Sequence, residues 1–485
     1  MQRLAIFRGG FRREAAKAVA DAPLPVLMAL VDKSLLRTDG AGRFSMHELV
    51  RQFAAEGLNA QPFAAEGVAQ RHFTYYTTWL QQQRAQLHRK AQKRVLGEIL
   101  AELENVRAAW RCALQQQHLT AITAALDPLA DVHELCGWFH EGEAVFLEAV
   151  TALAAATDEQ QRRLQGRLQA RLGFFAQRLG KYASAQQLLQ ETYRKLQALG
   201  DLTATSYCLN CLGEIARITG DYEEAERCLT ESITLCRRHG DQQLLSRAYN
   251  LLGIVYGVRG RHDDAQRLFR DSLALSETGE DQLGIAKALN NLGIMAYFAG
   301  DYDASQRFYQ GSLNINQDLG HQYDTALALS NLGLVAQKQG RHEDAVGLFE
   351  ESILIQRKIG YELGEGLSLR NLCIVLLELE QLEAATGHLQ QVLRLAQKIR
   401  NTPLAQAGLV GVAQLYGLRG DWTTAARLAA LAHHHPATED EIRTKAADLL
   451  VAAQSHLPAA SVAAAVDAAP TVDLWPVVAE VMGTR

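Results

Sequence analysis

From residue 249 onward, apolar side chains return every three or four positions, break at a glycine, and return again, and the order repeats after 40 residues. YNLLGIVYGVRGRHDDAQRLFRDSLAL (249–275) superimposes without a gap on LNNLGIMAYFAGDYDASQRFYQGSLNI (289–315). Leu289, Leu292 and Ala296 mark one helix, and Phe308, Leu313 and Ile315 mark the next, after Gly300. Three columns keep the register. A small residue stands at Gly173, Gly213, Gly253, Gly293 and Gly333, then Cys373 and Ala413; turn glycines stand at Gly180, Gly220, Gly260, Gly300, Gly340 and Gly420, with Glu380 in the same place. The third column is Ala185, Ala225, Ala265, Ser305, Ala345, Ala385 and Ala425. Each period therefore predicts two amphipathic helices whose small column lets their backbones approach closely. One such pair cannot cover its own apolar faces, so successive pairs must stack, and small rotations between them build a superhelix with a concave face.

The ends of the chain read differently. Near 141, GEAVFLEAVTAL has the second-helix pattern in phase, predicting a degenerate first repeat. Beyond 439 the period is lost while the composition stays helical, as expected of a terminal cap, with breaks at Pro436, Pro458 and Pro470. Residues 1–57 predict a helix end at 4–7, helices over 12–20 and 24–31, two short strands at 34–37 and 43–46 around TDGAG, and a helix over 47–57. Helices followed by a two-stranded turn describe a winged helix.

The 40-residue units resemble the tetratricopeptide repeat family in a long variant. The resemblance implies an all-α fold: a right-handed superhelix of antiparallel helix pairs, preceded by a small partial winged-helix domain. The expected divisions are 1–58 for the partial winged helix, 59–140 for a helical linker and degenerate repeat, 141–430 for the superhelix and 437–485 for the cap. LAIFRGGF, LVDKSLL and MHELVRQFA resemble the winged-helix segment of bacterial signal-transduction ATPases of the NB-ARC and LuxR-type regulator group. RHFTYYTTWL (71–80) and ELENVRAAWRCAL (102–114) resemble the linker helices of that group. There a histidine in a Met-His-Asp-like motif contacts the β-phosphate of bound ADP; Met46-His47-Glu48 stands at that position, making His47 a nucleotide-contact remnant. The family's winged helix would begin before Met1, which implies the C-terminal part of a split or truncated regulator.

Chemistry narrows the reading further. No Gly-x-x-x-x-Gly-Lys-Ser/Thr occurs, so the lysine and hydroxyl that would hold phosphates and Mg²⁺ are absent, and no ATP hydrolysis is expected from this chain alone. No catalytic residue, cofactor or metal site is expected. Cys208-x-x-Cys211 lies within one helix without a second ligand pair, His433-His434-His435 reads as a helix end, and Glu223, Glu224, Glu343 and Asp344 fit helix starts, where they meet the dipole. Net charge is −5 with a pI near 6.3 over 485 residues, which gives no global pull toward nucleic acid. Residues 1–58 carry nine basic against six acidic side chains, but LPVLMALVDKSLL offers almost no groups for base edges, so direct DNA contact is not expected. With no apolar run of about 20 residues and no leader at Met1, no membrane association and a cytoplasmic location are expected. The seven cysteines do not form a compact disulfide pattern and read as core residues.

The expected function is a non-catalytic sensor or scaffold of a signal-transduction or transcriptional regulator, binding a protein, peptide or effector. The alternatives are a free-standing adaptor, or an ATPase subunit completed in trans by a separate nucleotide-binding chain. By the resemblance, the groove would be lined by Asn210, Asn250, Asn290, Ser330 and Arg370, three residues before the small column. An amide there donates to one peptide carbonyl and accepts from the next N–H of an extended ligand. Arg247, Lys287, Ile254, Ile294, Tyr297 and Phe298 are the neighbouring candidates.

Overall fold

Gly253 shows why the period exists. A methyl group added there would stand 2.6 Å from the Phe269 ring, 16 residues on, and the same construction at Gly213 meets Leu229 and at Gly333 meets Phe349. The small column is thus the slot that receives a large apolar side chain from the paired helix. In a computed structural model describing residues 1–40, 42–436 and 438–483, the chain forms 25 α-helices and two short strands. Ala41 of the predicted turn, and Ala437, Thr484 and Arg485 of the predicted cap, lie outside the described residues. Two units are distinguished, Met1–Ala288 and Leu289–Arg485.

In the first unit, the repeat helices Glu159–Arg178, Tyr182–Ala198, Leu202–Ile218, Tyr222–His239, Gln242–Val258 and His262–Thr278 run in succession. Aspartates fix their starts: Asp201, Asp221 and Asp241 each accept from the backbone N–H three residues on. Glu223 and Glu224 fall in a first turn, as expected. Cys208 and Cys211 are buried in one helix, where burial pushes the Cys211 thiol up to about 12. All seven cysteines are free, with Cys112 and Cys136 half-buried and the rest buried.

The N-terminal elements are a 3-10 turn Gln2–Ile6, helices Arg13–Ala20 and Leu24–Asp32, an antiparallel pair Arg37–Thr38 and Phe44–Ser45, and a helix Glu48–Asn59. The first strand begins later than the pattern suggests. Ser34 takes a left-handed φ of 56°, and the N–H groups of Leu35 and Leu36 both donate to the Leu30 carbonyl, so the helix end consumes that stretch. These elements are fastened to the segments that follow. Asn105 accepts from the Arg8 N–H (2.7 Å) and donates to the Gly10 carbonyl (2.7 Å), Arg43 pairs with Glu102, and the Tyr76 hydroxyl donates to Glu102 (3.0 Å). Phe7, Phe11 and Phe44 stack beneath. Burial pushes the His72 imidazole, at the edge of this cluster, down to about 4.

The second unit continues the helix pairs through Trp422–His434, followed by Asp440–Gln454, Ala459–Ala468 and Leu474–Val481. Pro458 caps one of these and Pro470 sits in the 3-10 turn Ala469–Thr471. No single helix among the described residues is long and apolar enough to cross a membrane. At Glu380 the chain keeps the turn geometry that glycine holds elsewhere, with φ at 53° against 78° at Gly300. A left-handed backbone costs a residue with a Cβ about 1–2 kcal/mol, part of which glycine returns through its freer unfolded chain. Glu380→Gly should therefore stabilise the unit by about 0.5–1 kcal/mol, read as a higher Tm by calorimetry.

Candidate functional site

The first unit holds a partly open cavity of about 380 Å³, walled by one register position of five successive first helices. Asp127, Arg167, Tyr207, Arg247 and Lys287 lie 40 residues apart, so whatever faces inward on one helix faces inward on the next. A second source completes the wall. The long helix Pro62–Leu87 ends beside the helix Leu119–Leu135, bringing Arg84 and His88 to the cavity. Asp127, Asp131 and Glu134 stand four and three residues apart on Leu119–Leu135 and so share one face.

These groups form a connected network. Arg84 donates to Asp131 (2.9 Å) and Asp127 (2.9 Å), Arg171 donates to the other oxygen of Asp127 (2.7 Å), and His88 Nε2 lies 3.2 Å from Asp131. The Arg171 guanidinium lies over the Tyr207 ring at 3.9 Å, a cation–π contact. Arg247 pairs with Glu214 (3.2 Å), and Arg167 with Asp201 (2.6 Å). Ser246, also on the wall, clusters with the Ser272 and Ser276 hydroxyls at 2.9 and 2.8 Å. Burial alone would raise the Asp131 carboxyl, but His88, Arg84 and Arg171 hold it well below the usual carboxylate range. Burial alone would lower His88, but Asp131, with Asp281, raises it against the opposing charge of Arg84.

A raised folded-state pKa means His88 contributes fully below its ordinary value near 6.5 and that the contribution fades as pH rises through the folded value. The Tm advantage of the protein over His88→Gln should be largest near pH 6 and shrink steadily toward pH 9. Asp131 contributes in the opposite sense, above the usual carboxylate range, and is lost only on acidification.

Of the residues expected in the groove, Arg247, Asn250 and Lys287 come together on this cavity wall. Asn210 does not. It is fully buried, donates to the Leu244 carbonyl (3.2 Å), and leaves its own Oδ1 without a partner. Ile254 is half-buried in the same unit. In the second unit, Asn290 accepts from the Asn331 amide (3.1 Å), Ser330 is buried and accepts from Ser368 (3.3 Å), and Arg370 donates to Asn371 (3.0 Å). Ile294 and Tyr297 are half-buried, Tyr297 against Tyr302 at 5.7 Å, and Phe298 is 74% exposed. His47 is exposed at the start of Glu48–Asn59, where Nδ1 accepts from the Leu49 N–H (3.3 Å). No group of three or more His, Cys, Asp and Glu side chains suited to a metal ion occurs among the described residues.

Residues 202–278 and 284–358 match the tetratricopeptide repeat family model. The chain carries tetratricopeptide repeats. No curated protein matches it. Among solved structures it is similar to a signal transduction ATPase with numerous domains, from Pyrococcus horikoshii, that has a tetratricopeptide repeat sensor. The TM-score is 0.62 at 15% identity, over 96% of this chain and 64% of that one. The chain thus spans less than two thirds of that protein's length. It is also similar to the apo form of the quorum sensor NprR from B. thuringiensis, with TM-score 0.53 at 14% identity, over 76% of this chain and 98% of that one. At such identities the likeness is one of fold.

The tetratricopeptide register could have found more of the wall. Stepping back from Arg247 by 40 gives Tyr207, Arg167 and Asp127, although the small column is glycine only from Gly173 onward. Arg84 and His88 lie outside any repeat, and only the docking of the long helix reveals them.

Proposed function

We propose that this chain is the non-catalytic sensor region of a signal-transduction or transcriptional regulator of the NB-ARC and LuxR-type group, with its tetratricopeptide repeats as the recognition body. The observation that carries this reading is the cavity in the first unit, where one register position supplies five polar side chains of four kinds. The same register position in the second unit carries Leu327 and Leu367 instead. The expected ligand is a protein, peptide or small effector. In this reading residues 1–58 form the winged-helix segment, 59–140 link it to the repeats, 141–430 are the repeat body and 437–485 cap it. The fastening of the N-terminal elements through Tyr76, Glu102 and Asn105 supports coupling along the chain, because movement of those helices would be transmitted to residues 8–43. Exposed His47, with Leu49 and Phe53 also exposed on the following helix, supports a face for a nucleotide-binding domain supplied by a separate chain.

Asn250→Ala combined with Asn290→Ala tests the recognition surface. Both side chains are half-exposed, and surface changes usually move stability by about 0.5 kcal/mol or less. Losing real ligand hydrogen bonds costs about 0.5–1.5 kcal/mol each. The expected result is a Tm lowered only slightly, by the loss of the Asn331–Asn290 hydrogen bond, with a severalfold loss of partner capture from the source cells. A marked fall in Tm with capture intact would assign the two asparagines to structure.

A further inference from the structure

The first-unit cavity is a cluster of charges, but most of those charges are already spent. Arg84, Arg171 and His88 are answered by Asp127 and Asp131, Arg247 by Glu214, and Arg167 by Asp201. Asp241 and Asp281 accept from the backbone N–H groups of Leu244 and Gly284 and serve as helix caps. Three of the remaining wall groups bear on a ligand's charge and polarity. Tyr207 borders the cavity and is only 5% exposed, and its buried hydroxyl has no hydrogen-bond partner among the described residues. Glu134 and Lys287 make no side-chain hydrogen bond or ion pair with the described residues. Both lie close to the same ion pair, since the charge of Glu134 acts on Arg247 and that of Lys287 acts on Glu214.

One half-buried carboxylate, one exposed ammonium at the rim and one buried hydroxyl suit a ligand that carries both charges. A polyanion would find its counter-cations already neutralised, and a polycation would find only Glu134 free. Leu126, Leu135, Leu244 and Leu283 supply apolar wall between the polar groups. The volume of about 380 Å³ lies at the lower end of small-molecule sites.

We propose that this cavity binds a small zwitterion, an α-amino acid or dipeptide with an aliphatic side chain, its ammonium taken by Glu134, its carboxylate by Lys287, and a polar atom of its backbone by the Tyr207 hydroxyl. The proposal rests on the sensor reading and names the class of effector. A buried hydroxyl without a partner carries a desolvation penalty that a ligand reaching it removes, so Tyr207→Phe should separate binding from folding. Without ligand it should melt at the same temperature as the unaltered protein or higher, because it deletes an unpaired polar group.

The test uses the full chain, calorimetric titration and thermal melting, with free leucine, isoleucine, valine and the dipeptide Leu-Leu as probes. N-acetyl-leucine and leucinamide serve as the singly blocked controls. At least one free zwitterion should raise the Tm, and both blocked forms of leucine should bind at least tenfold more weakly than the free form if leucine is the probe that binds. Should another probe bind, its own N-acetyl and amide forms take their place. Tyr207→Phe should weaken binding about tenfold with ligand-free melting preserved. Glu134→Gln should erase the preference for a free amino group, and Lys287→Met the preference for a free carboxylate. Binding by none of the probes, or equal binding of free and blocked forms, overturns the proposal. If that happens while Asn250→Ala with Asn290→Ala still loses partner capture, the sensor reading stands with a different ligand; if capture is also unaffected, both fall.

Discussion

Asp131→Ala should destabilise the first unit by about 3 kcal/mol, because it takes from the His88 imidazole its only carboxylate partner among the described residues and leaves the Arg84 guanidinium with Asp127 alone. Asp131 is 7% exposed and is the one acid that both of them share. Asp131→Asn keeps an acceptor and should lose less. The double change Arg84→Met with Asp131→Leu removes both charges, and its cost should fall well short of the sum of the single changes. Chemical denaturation of the four proteins measures this as a coupling energy. Additive losses would mean that the pair does not act as a buried unit and that the long helix is held at the cavity by something else.

Gly253→Leu should be the most damaging change in the repeats. Even a methyl group would stand 2.6 Å from the Phe269 ring, so a leucine forces the two helices apart at a cost of about 3 kcal/mol. Gly253→Ala is milder, because alanine regains about 1 kcal/mol of helix propensity while crowding the ring. Pairing Gly253→Ala with Phe269→Leu should recover stability relative to Gly253→Ala alone, which a structural role for the small column requires. Thermal melting of the three variants decides it, and a Phe269→Leu change that adds its own loss in full would refute the slot.

Much of this architecture is written in local spacing. Gly253 and Phe269 belong to columns that repeat, and repetition reveals which positions face each other without any knowledge of the fold. Arg247 and Lys287 were legible on the same ground, being one register position in two well-preserved repeats. Asp127, Arg167 and Tyr207 share that position, but their identities differ in charge and shape, so the column is visible only when counted, not when compared by type. Asn210 illustrates the converse. It has the same identity as Asn250 and Asn290 at the same register position, yet packing next to the Leu244 carbonyl buries it, and identity alone does not specify exposure. Arg84 and His88 reach the cavity through tertiary docking of a helix that precedes the repeats, a contact that no local periodicity encodes. The late start of the first strand has a similar origin, since two carbonyl-directed N–H groups at the end of Leu24–Asp32 outweigh the strand preference of the apolar residues there.

The central claim is that the first-unit cavity is where this chain meets its ligand. Gln243 lines that cavity and is exposed, whereas Thr234 is exposed on the neighbouring second helix, away from the cavity lining. A photo-crosslinking residue placed at 243 or at 234, irradiated in the source cells and followed by intact-mass measurement of the purified chain, tests the claim directly. The account predicts a discrete adduct at 243 that disappears with Tyr207→Phe, and none at 234. Equal labelling at both positions, or an adduct only at 234, would contradict it.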